Sequence, residues 1–103
     1  MVIEWLKFKV SPQSRDTFIQ IDHQIWTATL AKFPGFLGKE VWISPDIPGE
    51  ITLIVHWKTR EQWKAVPQEI LEETEQNFSR QMNNNSYEMI ESKEYQIRKY
   101  PTN

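Results

Sequence analysis

Glu50-Ile51-Thr52-Leu53-Ile54-Val55-His56-Trp57-Lys58 (50–58) is the stretch on which the fold turns. Branched and aromatic residues dominate it, and the alternation reads as a strand. Ile51, Leu53, Val55 and Trp57 mark one face; Thr52, Ile54 and His56 mark the other. Immediately after it, Thr59-Arg60-Glu61-Gln62 has the form of a capping box, with threonine as cap and glutamine at the third helical position. The strand therefore hands over to a helix that opens at Trp63. Pro67 removes a backbone donor and interrupts that helix, which restarts over about 67–82 with Ile70, Leu71, Thr74, Phe78 and Met82 inward.

Working backward, Ser44-Pro45-Asp46-Ile47-Pro48-Gly49 is a turn-rich link to a short strand at 39–44. Val41 and Ile43 lie on one face of that strand and Trp42 on the other. Two strands across a short loop predict an antiparallel hairpin. Residues 2–10 alternate as well. Val2, Leu6, Phe8 and Val10 share a face, with Glu4 as the one charged exception; Ile3, Trp5, Lys7 and Lys9 take the other. Ser11-Pro12 stops this strand and starts a helix. That helix spans about 13–32, with Phe18, Ile21, Ile25 and Ala28 at helical spacing, broadened by Ile19, Trp26, Leu30 and Phe33. Pro34-Gly35 ends it. A final strand at 86–99 carries Tyr87, Met89, Tyr95 and Ile97 in phase. The order is strand, helix, strand, strand, helix, strand. That predicts an α+β, ferredoxin-like βαββαβ fold, with both helices on one face of a four-stranded antiparallel sheet. The whole chain, 1–103, reads as one domain.

Composition narrows the function. The chain has no cysteine, which excludes a disulfide scaffold, an iron–sulfur cluster and a thiol nucleophile. Two histidines, His23 and His56, leave little for a metal site, and no cofactor is expected. The net charge is −2 with no basic block, so nucleic acid is not an expected partner. No apolar run approaches the ~20 residues of a membrane helix, and the expected location is the cytoplasm.

The second face of the sheet has no helix in this chain to cover it. It would carry Ile3, Trp5, Trp42 and Ile54, with Thr52 and His56 between them, a patch too apolar to stay bare. A homodimer, sheet against sheet, is the expectation, with the long last strand reaching across to the partner.

Asp22 is the polar residue that stands out, because it falls on the apolar stripe of the first helix between Phe18 and Trp26. A carboxylate there must find a donor or take up a proton. A structural bond to an amide or a basic side chain and a role as ligand anchor or general base both remain open. His23, at the edge of the stripe, is either a boundary histidine or a proton-transfer group. Asp22 and His23 are the candidate catalytic residues. Trp26, Trp63, Trp5 and His56 are the candidate substrate-binding residues. Glu72, Glu73 and Glu75 read as a solvated acidic face.

Trp26-Thr27 with Leu30, the run Pro34-Gly35-Phe36-Leu37-Gly38-Lys39-Glu40-Val41-Trp42, Ile51-Thr52-Leu53 through Trp57, and Glu61-Gln62-Trp63-Lys64 resemble the antibiotic-biosynthesis-monooxygenase-like group of the dimeric α/β-barrel superfamily. The likeness extends to small cyanobacterial proteins of that group. It implies that two sheets pair as a dimeric α/β barrel, with a pocket between each sheet and its own helices. It also implies a cofactor-free monooxygenase acting on an aromatic substrate. The heme-degrading branch uses an asparagine on the first strand and a histidine on the second helix. Here Trp5 stands at the first position, and residues 60–82 contain no histidine. The alternatives are a non-catalytic ligand-binding or stress-response dimer, and a structural dimer with a filled core.

Overall fold

The computed structural model describes residues 1–101. Four strands, β1 (Val2–Val10), β2 (Phe36–Ile43), β3 (Glu50–Trp57) and β4 (Tyr87–Gln96), form one antiparallel sheet in the order β2-β3-β1-β4. Between β1 and β2, α1 (Arg15–Asp22) runs through a π-helical turn (His23–Thr27) into α2 (Ala28–Leu30) without leaving helical dihedrals. Between β3 and β4 lie α3 (Arg60–Lys64) and α4 (Gln68–Met82). Both helical segments pack on the same face of the sheet, giving the ferredoxin-like α+β arrangement. No helix among the described residues is long and apolar enough to cross a membrane.

Local chemistry sets the boundaries. The Thr59 side chain accepts a hydrogen bond from the Gln62 backbone amide at 3.1 Å, so α3 opens at Arg60, three residues before Trp63. Pro67 separates α3 from α4 and serves as the N-cap position of α4. Gly35 holds φ at +91°, and a side chain there would collide with Gln62. β2 starts at Phe36, earlier than the alternation predicts, because a register shift between Phe36 and Gly38 takes up one residue.

Two further irregularities change which way residues face. Ala28, placed on the inward stripe by the sequence, is exposed, while Leu30 is 6% exposed. The π-helical turn widens the spiral and re-phases everything after Asp22, so Trp26 and Leu30 turn inward instead. In β4 a bulge opposite Lys7/Phe8 flips the phase. Tyr87 and Met89 lie on the helix side, whereas Tyr95 pairs with Ile3 on the other side, contrary to the in-phase reading. The strand ends at Gln96, before the expected bound at 99.

The helix-covered face holds two apolar clusters. One gathers Phe8, Val10, Phe18, Ile21, Ile51, Leu53, Phe78 and Met82; the other gathers Val2, Leu30, Val55, Trp57 and Val66. Trp26 packs against both, and a cavity lined by residues of each forms the candidate site.

Candidate functional site

A cavity of 380 Å³ lies between the sheet and the helices, walled by residues of both clusters. That volume falls within the range of small-ligand sites, about 300–1,000 Å³. Its walls are mostly rings and branched side chains: Phe8 and Phe18 on one side, Trp26 and Trp63 on another, Leu53 and Trp57 from β3. Phe18 and Phe78 meet edge to face, with ring centroids 5.2 Å apart, which fixes that end of the wall.

A few polar groups project into this apolar space. Asp22, 2% exposed, comes from the last turn of α1. Lys39 comes from β2 on the helix-facing side. Its Nζ donates to Asp22 Oδ1 at 2.7 Å and lies 2.6 Å from Oδ2 without the geometry of a second hydrogen bond. Both side chains are almost wholly enclosed. Burial pushes the Asp22 carboxyl above the ordinary range, and the Lys39 ammonium works against that rise. Glu4, on the same face of β1 as Leu6 and Phe8, also lines the cavity. Burial raises its pKa too, opposed by Lys39, by Lys64 and by the Trp57 indole N–H. That indole nitrogen is buried and falls short of a formed hydrogen bond to any acceptor. At the opposite end, Tyr87 Oη donates to Glu75 Oε2 at 2.6 Å. Burial and that carboxylate push the Tyr87 phenol up to about 12.

The sequence candidates divide cleanly. Asp22, Trp26 and Trp63 line the cavity together. His23 does not: it is exposed, turned away at the start of the π-helical turn. Trp5 and His56 lie on the opposite face of the sheet, because β1 and β3 pair Trp5 with Ile54 and Ile3 with His56 on the side away from the helices. There, Lys7 and Lys93 sit over the Trp5 ring at 5.3 and 5.1 Å. His56 Nε2 meets Glu40 Oε2 at 2.6 Å beside a smaller recess of 240 Å³. Of the two readings open for Asp22, the structure supplies the basic partner and also the cavity. Glu75, read as part of a solvated face, reaches the cavity rim through Tyr87.

Sequence reading passed over Glu4 and Lys39. Glu4 did carry a signal, as the single charge on an otherwise apolar strand face. Lys39 carried one only once its register opposite Val55 was known, since that pairing turns it toward the helices.

A sequence model of the antibiotic biosynthesis monooxygenase family matches residues 1–69, from β1 into the start of α4. The chain belongs to the antibiotic biosynthesis monooxygenase family. Its fold recurs in solved structures. SnoaB from Streptomyces nogalater, a cofactor-independent oxygenase, superposes with a TM-score of 0.69 at 16% identity, over 96% of this chain and 94% of that one. HapK from Hahella chejuensis gives 0.73 at 16% identity, over 100% and 99%. At that identity the likeness is one of fold. No curated protein matches this family member by sequence alone.

Proposed function

We propose that the protein is a cofactor-independent monooxygenase that acts on a flat aromatic small molecule in the cavity between sheet and helices, and that it works as a homodimer of single-domain chains. The observation that carries this reading is the ring-walled cavity with ionisable groups confined to its two ends. Such a space holds an apolar ring system by contact and leaves its polar substituents to a few fixed groups. Family membership and the oxygenase SnoaB, which shares the fold, support it.

The chemistry needs no bound cofactor if the substrate itself supplies the electrons. A cavity carboxylate takes a proton from an activated CH₂ next to a phenol or carbonyl. The resulting carbanion, delocalised over the rings, reacts with dioxygen to give a hydroperoxide. Loss of water from that hydroperoxide leaves a ketone, so CH₂ and O₂ become C=O and H₂O. The protein's share is to bind, exclude bulk water and hold the proton.

An oxygen electrode tests this reading with an anthrone as substrate. One O₂ consumed per quinone formed, at a rate well above the spontaneous oxidation, is the expected result; binding of the anthrone without faster uptake would remove the enzyme from the account. The Lys39–Asp22 pair favours that second reading, a non-catalytic binding dimer. Protonating Asp22 would leave a buried ammonium without its partner.

The dimer reading draws on the face opposite the helices. Trp42 there is 50% exposed and Tyr95 48%, and a second copy of the same face can cover them.

A further inference from the structure

Three carboxylates line the cavity, and two of them are engaged. Asp22 holds Lys39, and Glu75 accepts from Tyr87. Glu4 forms no ion pair with any described residue, and the buried Trp57 indole N–H leans toward its carboxylate without reaching a formed hydrogen bond. Most of the acceptor capacity of that carboxylate is therefore unused. A carboxylate with acceptor positions to spare, in an apolar cavity, matches one chemical group well. A hydroxyl can donate to it.

We propose that Glu4 is the hydrogen-bond acceptor that selects the ligand, so that the cavity takes flat aromatic molecules bearing a neutral phenolic or enolic hydroxyl and turns away aromatic carboxylates. This rests on the reading of the cavity as an aromatic site and adds its selectivity. In turnover the same group receives the proton. The O–H or C–H bond of the bound molecule breaks, the proton passes to a Glu4 carboxylate oxygen, and the electron pair stays in the ring system as an enolate. Dioxygen then takes up those electrons, forming the C–O bond of a peroxide anion; that anion recovers the proton from Glu4, and the resulting hydroperoxide loses water to leave the ketone.

The surroundings fit that role. Asp22 of α1 and Lys39 of β2 are tied to each other. Lys39 also attracts the Glu4 carboxylate, and Lys64 of α3 does so more weakly. Glu94, paired across the sheet with Glu4 on β4, is held by Arg60 of α3 at 2.7 Å. Glu75 of α4 sits at the far end with Tyr87. With these charges largely matched, the negative charge left over in the cavity is that of Glu4. A ligand carboxylate would meet it directly, at the cost of like charges in a low-dielectric space. Burial makes Glu4 a better base than an exposed carboxylate, since its charged form is disfavoured.

Three naphthalenes separate the possibilities: 1-naphthol, its methyl ether and 1-naphthoate, titrated by tryptophan fluorescence into wild type and Glu4→Gln. Wild type should bind the naphthol roughly tenfold more tightly than the ether, the size of one hydrogen bond to a charged group, and the naphthoate least. Glu4→Gln should bring naphthol and ether to within about threefold and improve the naphthoate. A variant that keeps the tenfold ratio, or a wild type with no preference for the hydroxyl, overturns the role of Glu4 while leaving the aromatic site intact. Failure of all three ligands to bind overturns both. A second measurement needs no variant. The naphthol hydroxyl stays protonated below pH 8, as a tyrosine does, so the naphthol-to-ether ratio in wild type should fall toward one on acidification as Glu4 takes up its proton, beginning above the usual carboxylate value of 4.5. A ratio constant down to pH 4 contradicts the assignment.

Discussion

The two faces of the sheet solve the same burial problem by different means. On the helix-covered face, Ile51, Leu53, Val55 and Trp57 are 0–3% exposed under two helices, yet a cavity survives among them. On the other face, Ile3 and Ile54 are 7% and 4% exposed with no helix above them. Trp5 pairs with Ile54 and Tyr95 with Ile3 across the strands, and ion-paired side chains surround them. Lys7 reaches Glu50 and Glu91, Lys93 reaches Glu91 at 2.9 Å, and Glu40 joins His56 to the Trp42 indole. The aliphatic stems of such side chains shield the strand centre while their heads stay wet. The expected bare patch of Ile3, Trp5, Trp42 and Ile54 is therefore smaller than the alternation suggested, with Trp42 and Tyr95 as its exposed part. A closed apolar layer leaves room for a ligand, and an open one is roofed by ion pairs.

Breaking the buried pair should give the largest effect. Lys39→Met strands a carboxylate among apolar walls and should cost about 3–5 kcal/mol, read as a drop in the urea midpoint. Combining it with Asp22→Leu should recover most of that loss, because two matched apolar groups replace two matched charges. If the double variant is as unstable as the sum of the singles, the two residues are not coupled through their charges.

Next in size is Trp42→Glu on the roofed face. It should leave the monomer's own fold within about 0.5 kcal/mol, as expected of an exposed position, and abolish self-association in sedimentation at micromolar concentration. Retention of a dimer would move the interface away from this face.

Glu4→Gln sharpens the comparison from inside the cavity. The folded-state pKa of Glu4 is raised, so its charge opposes folding above that pKa, and the opposition fades as pH falls through it toward the unfolded value. The variant should therefore be more stable than wild type at neutral pH, by roughly 1 kcal/mol, with the advantage shrinking on acidification below neutrality. An advantage that grows at low pH would reverse the sign. Glu50→Gln, which trims one long, half-buried ion pair on the open face, should move stability by less than about 1 kcal/mol.

The elements were legible because each carries a local signal. Alternation in 50–57, the Thr59 cap and the Pro67 break need no tertiary knowledge. What escaped depends on a single inserted residue. The π-helical turn swaps Ala28 for Leu30, and the bulge in β4 sends Tyr95 to the face opposite Tyr87. Neither leaves a mark in composition or spacing, because the insertion is decided by how the helix and strand meet their neighbours. The site was legible where burial conflicted with charge. Asp22 on an apolar stripe announced itself, and Glu4 on an apolar strand face gave the same sign. His23, adjacent in sequence, lies about 100° around the helix and shares none of that environment. Trp5 and His56 are large or titratable residues on the face that the helices do not cover.

Titration of the intrinsic tryptophan fluorescence with an anthrone tests the central claim most directly, since Trp26, Trp57 and Trp63 all line the cavity. Saturable quenching with one ligand per chain, lost when a bulkier Leu53→Phe side chain narrows the cavity and kept in Trp42→Glu, is the predicted result. Quenching that rises linearly to the solubility limit, or that depends on Trp42 and ignores Leu53, would contradict it.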